Sequence, residues 1–167
     1  RFQIGNLFDF DREKDALPVR ELSPIDRWVL YKTAELIDGV TEAFDAYEFH
    51  RGIQLLNRYC STILSAVYHD ILKDRLYTLA PDHPLRRSSQ TALDLLFRVF
   101  VRLLAPVVPF TTDEAWSHLQ VGEDFCEEPI ALQTWPSIDP LWRGGPEVED
   151  VRLILAFKAT VVNDALE

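Results

Sequence analysis

The sequence predicts an all-α fold: one helical bundle of three long helices, followed by shorter C-terminal helices. Three observations carry this. Apolar residues recur at steps of three and four over three long stretches. The first and third stretches open on Pro24 and Pro84, a residue suited to the first helical position. Between and after them lie proline-bearing breaks that remove amide donors and disfavour the α conformation.

Residues 1–21 read as the last turns of a helix, RFQIGNLF, whose beginning lies outside this chain, followed by a polar connecting loop with solvated acids. The bundle core is expected over 22–119. Ser23-Pro24-Ile25-Asp26 is a helix start, with Ser23 as cap and Asp26 completing a capping box. Val29, Leu36, Ile37, Val40, Phe44 and Tyr47 then form a buried stripe opposite Glu35, Asp38, Glu42 and Asp45. Gly39 weakens the helix by ~1 kcal/mol relative to alanine and suits a close helix crossing.

After a break at Glu48–Arg51, the second helix is expected to bury Ile53, Leu56, Cys60, Ile63, Val67 and Ile71. Arg58, Thr62, Ser65, His69 and Lys73 share another of its faces. The third helix has a wide apolar arc that includes Leu85, Ser89, Leu96, Phe97, Phe100 and Leu103, which marks it as the most buried. Arg87, Asp94, Arg98 and Arg102 are expected outside that arc, with Asp94 and Arg98 at ion-pair spacing. A short helix capped by Thr111 or Thr112 should run to His118. Residues 120–167 read as a loop-rich segment, with IALQTW as a short extended piece, and then a helix from Glu147.

Composition narrows the function. The chain has 167 residues, 47% of them hydrophobic, enough for one domain with its own core. No apolar run approaches the roughly 20 residues of a membrane-spanning helix, and the N-terminus has no signal-peptide layout. Cys60 and Cys126 are too few for a disulfide framework and lack metal-ligand spacing, which suits a reducing, cytosolic setting. The net charge of −10 argues against a generic nucleic-acid binder. Its distribution does not: residues 51–110 carry 8 basic and 4 acidic side chains, net +4, between flanks of net −5 and −9. Screening limits the reach of charge to about 8–10 Å, so a local field is what steers a polyanion at contact range.

Chemistry-bearing constellations are poor. His50, His69, His83 and His118 are scattered, and none pairs at ligand spacing. There is no phosphate-binding glycine loop. Asp70 and Asp74 share a helical face but stand beside Lys73 and Arg75, which points to salt links. Arg86 and Arg87 occupy the first turn of the third helix, where cations oppose the helix dipole and require an external anion or an internal acid.

The run LSAVYHDILKDRLYT, then RRSSQTAL, then LLAPVVPFTTDEAW resembles the anticodon-binding helical domain of bacterial-type isoleucyl-tRNA synthetases. The opening RF-x-x-GNL-x-DFD, SPIDRW, AYEFH and the VNDALE ending fit the same family in the same order, so the resemblance covers essentially the whole chain. KDRLYT with RRSxQT separates it from the valyl and leucyl relatives. Two departures stand out: His69 where Leu is usual, and His83 where a capping Ser is common.

The resemblance implies the class I synthetase anticodon-binding fold. It also implies a full-length ligase that charges isoleucine tRNA at the expense of ATP and removes valine errors. ATP with Mg, and zinc, would be cofactors of that enzyme. None is expected on this stretch, which lacks the HIGH, KMSKS and zinc-binding cysteine signatures. The implied partners are isoleucine tRNA and the catalytic and editing domains of the same polypeptide, in the cytoplasm and away from any membrane. The candidate tRNA contacts are Lys73, Arg75, Arg86 and Arg87, then Arg58 and Arg98, with Gln90 and Thr91 as polar contacts. For Arg75 and Arg86 a second reading stands beside this one: each could pin the turn to Asp70, Asp74 or Asp82. Trp28 and Trp116 read as core residues. Two alternatives stand beside tRNA docking by an isoleucyl domain: a scaffold with little tRNA affinity of its own that packs on the catalytic core through Phe110 and Trp116, or the equivalent domain of a valyl or leucyl relative.

Overall fold

The computed structural model of the chain describes residues 2–118 and 128–144, and every regular element among them is helical. The helix expected from Glu147, and Cys126, lie outside the described residues. The chain opens on α1, Phe2–Gly5, and one turn, α2, at Arg12–Asp15. Three long helical arms then make the bundle. Helix α3 spans Pro24–Asp45. The second arm is continuous: α4 over Phe49–Arg58, a π-helical stretch over Tyr59–Tyr68, and α5 over His69–Thr78. Helix α6 spans Pro84–Leu104.

After the arms come α7, Pro109–Ser117, and two 3-10 turns at Ile130–Leu132 and Pro140–Arg143. The expected loop over 9–21 is partly helical, since it holds α2 and a 3-10 turn at Val19–Glu21. The piece expected to be extended, IALQTW, opens instead on the 3-10 turn at Ile130, which buries that residue beside Trp116, Phe97 and Val101.

Glycine sets how closely the first two arms approach. A Cβ on Gly52 would sit 2.3 Å from Cε1 of Phe44, and one on Gly39 would sit 3.2 Å from Cδ1 of Leu55. These pairs, together with Tyr59 bonded to the Val29 carbonyl and Tyr68 to Asp26, show the second arm running antiparallel to α3. Helix α6 runs alongside α3 in the same direction: its start meets Asp26 through Ser88, and Phe100 further along packs on Tyr59 at 5.6 Å. The main core gathers Trp28, Val29, Leu30, Leu64, Tyr68, Leu72, Leu93, Leu96 and Leu103 between the three arms.

The π-helical stretch corrects the stripe expected on the second arm. Its i→i+5 bonding widens each turn, so the buried positions run Leu56, Tyr59, Leu64, Tyr68, Leu72, Leu76. Cys60, Ile63, Val67 and Ile71, which a uniform 3.6-residue period would bury, are only half-buried. Four further expectations change. Tyr47 is 82% exposed at φ 58°, because α3 ends two residues earlier. Leu85 is 40% exposed, at the open first turn of α6. Asp94 is buried, held by Arg98 at 3.0 Å and by Arg12 at 3.3 Å. Helix α7 starts at Pro109 rather than on a threonine cap, and the Thr112 hydroxyl bonds back to the Val108 and Pro109 carbonyls.

Candidate functional site

The basic motifs meet where α3 begins, α5 ends and α6 begins. At their centre lies Asp26, fully buried. It accepts hydrogen bonds from Tyr68 at 2.7 Å, Ser23 at 2.7 Å and Ser88 at 2.6 Å, with Ser89 at 3.3 Å and the Arg75 guanidinium at 3.4 Å. The expected capping box is therefore not formed. The Ser23 hydroxyl donates to Asp26 instead of capping, and its amide donates to Ser88. A buried carboxylate is stable only with charge and hydrogen bonds around it, and five side chains from the second arm, α6 and the residue before α3 supply both.

A second cluster ties the first turns of α6 to the leading segment. Arg86, 8% exposed, bonds Asp9 at 2.8 Å and the Leu76 and Leu79 carbonyls at 2.8 and 3.1 Å. Arg87 donates to the Asp9 carbonyl at 2.8 Å and the Gln90 side chain at 2.8 Å, and pairs with Asp15 at 3.3 Å. Gln90, fully buried, donates to the Asn6 carbonyl at 3.0 Å and to Asp9 at 2.7 Å. The Thr91 hydroxyl accepts from the Leu17 amide. Two cations placed against the helix dipole thus have internal acids as partners. Those acids are Asp9 and Asp15, and Arg75 pairs with Asp26; none is the Asp70, Asp74 or Asp82 expected from sequence.

The eight candidate contacts accordingly divide. Arg75, Arg86, Arg87, Gln90, Thr91 and Arg98 have internal partners and are buried or half-buried, and Arg98 also lies over the Trp116 ring at 5.7 Å. Arg58 and Lys73 are exposed at either side of the π-helical stretch of the second arm, and Lys73 pairs with Asp70 at 3.1 Å between two exposed side chains. Thr62 and Ser65 are exposed on the same arm. His69 turns inward. Its ring stacks on Phe2 at 4.3 Å, and burial lowers its pKa to about 4. His83 takes the place of a capping serine by accepting the Leu85 amide on Nδ1 at 3.2 Å.

Sequence reasoning missed Asp9 and Asp26 as the organising acids. Two signals pointed to them: the serines of RRSSQT within an otherwise apolar arc, and the paired arginines in a first helical turn. Among the described residues no group of three or more His, Cys, Asp or Glu side chains could hold a metal ion. None of the described helices is long and apolar enough to cross a membrane.

The bundle keeps two of the predicted cations, Arg58 and Lys73, exposed on one arm over a braced interior. Residues 26–163 match the family described as the anticodon-binding domain of tRNA ligase. The chain belongs to that family. Similar curated proteins are isoleucine–tRNA ligases. That of Dechloromonas aromatica is 43% identical over 167 residues, all of this chain and 18% of the relative. That of Moorella thermoacetica is 46% identical over 140 residues, 83% of this chain and 15% of the relative. That of Prochlorococcus marinus strain MIT 9313 is 43% identical over 143 residues, 86% and 15% respectively. The chain thus spans less than a fifth of the length of these relatives. In the anticodon-binding domain so identified, the exposed pair Arg58 and Lys73 is the part of the predicted set open to a ligand.

Proposed function

We propose that this anticodon-binding domain docks the anticodon arm of isoleucine tRNA on the outer face of the second arm, through Arg58, Thr62, Ser65 and Lys73. The observation that carries the reading is the family match over 26–163, and the exposed cations and hydroxyls of that arm suit contacts to phosphate and sugar. The longer ligase would charge isoleucine tRNA in the cytoplasm and edit valine errors. Its ATP with Mg, and its zinc, would be held by parts other than this one. Titration of the chain with isoleucine tRNA and a non-cognate tRNA at two salt concentrations tests the docking. Affinity should fall steeply with salt as counterions are released. The double variant Arg58→Glu, Lys73→Glu should bind at least tenfold more weakly with its helicity intact. Unchanged affinity in that variant would remove the assignment of this face.

A second reading is favoured by Phe110 at 89% and Tyr47 at 82% exposure: an apolar surface that packs on another domain of the ligase. It predicts no tRNA affinity for this chain in isolation. Trp116, also expected on that surface, is buried against Phe97, Val101 and Ile130.

A further inference from the structure

We infer that Asp9 and Arg86 form a latch that positions the proposed tRNA face, and that they do so without touching RNA. The inference rests on the docking reading above. The Arg86 guanidinium joins two segments remote in sequence. One nitrogen holds the Asp9 carboxylate at 2.8 Å, and the other holds the carbonyls of Leu76 and Leu79, where α5 ends. Lys73 lies one turn before Leu76 on that helix. The last carbonyls of a helix have no partner within it, so the cation both closes the end of α5 and fixes how it leaves the core.

Asp9 is held in turn from a second side. Its other oxygen accepts from Gln90 at 2.7 Å, and its carbonyl accepts from Arg87 at 2.8 Å. The leading segment, the end of α5 and the first turns of α6 therefore share one charged knot. Both members of the pair are mostly buried, with side-chain exposures of 10% for Arg86 and 19% for Asp9, so phosphate has little access to either. Loss of the knot frees the end of α5, and the Lys73 side chain loses its fixed bearing relative to Arg58.

The salt dependence of binding separates positioning from direct contact, because removing one cation from a phosphate lowers the slope by about one. The experiment measures affinity of the chain for isoleucine tRNA at several salt concentrations for wild type, Asp9→Asn and Arg86→Met. Amide hydrogen exchange at residues 76–80 is followed in parallel. The latch predicts at least fivefold weaker binding for both variants with the wild-type salt slope, and at least tenfold faster exchange at 76–80. Three results would overturn it: a slope lowered by about one in Arg86→Met, tighter binding in Asp9→Asn, or unchanged exchange in Asp9→Asn. Asp9→Asn retains the side-chain shape and an acceptor oxygen, so the question stays open to test if Arg86→Met fails to fold. If wild type binds no tRNA, the docking reading fails, and the exchange arm still decides the latch.

Discussion

The Tyr68 hydroxyl and the Asp26 carboxylate, 42 residues apart in sequence, meet at 2.7 Å in the core. The bond joins the end of the π-helical stretch to the start of α3 and helps lock the phase of the second arm. Burial, first, and the adjoining carboxylate push the Tyr68 pKa well above the ordinary tyrosine value, so the phenol remains a donor. Tyr68→Phe deletes one donor to a charged acceptor and should cost about 1.5–3 kcal/mol. Asp26→Leu also strands the Arg75 cation and should cost more, about 3–5 kcal/mol. Urea unfolding of the two variants should give that order, and the reverse order would contradict the network.

At Gly52, a methyl group would collide with the Phe44 ring at 2.3 Å, a ring already packed against Phe49 and Trp135. Gly52→Ala should therefore destabilise by about 1–3 kcal/mol, as overpacking does, despite the better helix propensity of alanine. Gly39→Ala meets only the flexible end of Leu55 at 3.2 Å, and there the propensity gain of ~1 kcal/mol offsets most of the cost. Thermal melts of the pair should rank Gly52→Ala well below Gly39→Ala.

Tyr47 holds a φ of 58° with its side chain 82% exposed. A left-handed backbone costs a β-carbon residue about 1–2 kcal/mol, and the exposed ring offers only an edge contact with Phe49 at 6.1 Å to offset it. Tyr47→Gly should raise the melting temperature by a few degrees. A lowered one would show that the aromatic contact dominates.

His69 stays neutral in the fold because its ring is partly buried and its Nε2 has no hydrogen-bond partner. Its folded pKa of about 4 lies below the ordinary 6.5. Between these values the unfolded chain takes up a proton that the folded chain refuses, so the contribution is complete above pH 6.5 and is lost as pH falls towards 4. His69→Phe, which preserves stacking on Phe2, should lose less stability than wild type between pH 7 and pH 5 in urea titrations. Parallel losses would show that His69 titrates normally.

Periodicity was sufficient for the three arms, because apolar residues spaced for a helix and prolines at helix starts are local properties. It failed at Tyr59–Tyr68, where matching Tyr59 to Thr33 and Val29, and Tyr68 to Asp26, requires wider turns than a uniform period allows. The candidate cations show the same division. Their residue types and clustering stand in the sequence, whereas the inward direction of Arg75 and Arg86 depends on acids 49 and 77 residues away. Asp9 reads as a solvated loop acid until the leading segment is folded back onto α6.

The sequence by itself therefore determined an all-helical chain with a basic middle third and the motifs of an anticodon-binding domain, since helix formation and charge are written locally. Only the tertiary structure decided which cations face outward. A guanidinium enters a core when a carboxylate can be brought there to meet it, and that meeting is made by packing between segments far apart in the chain.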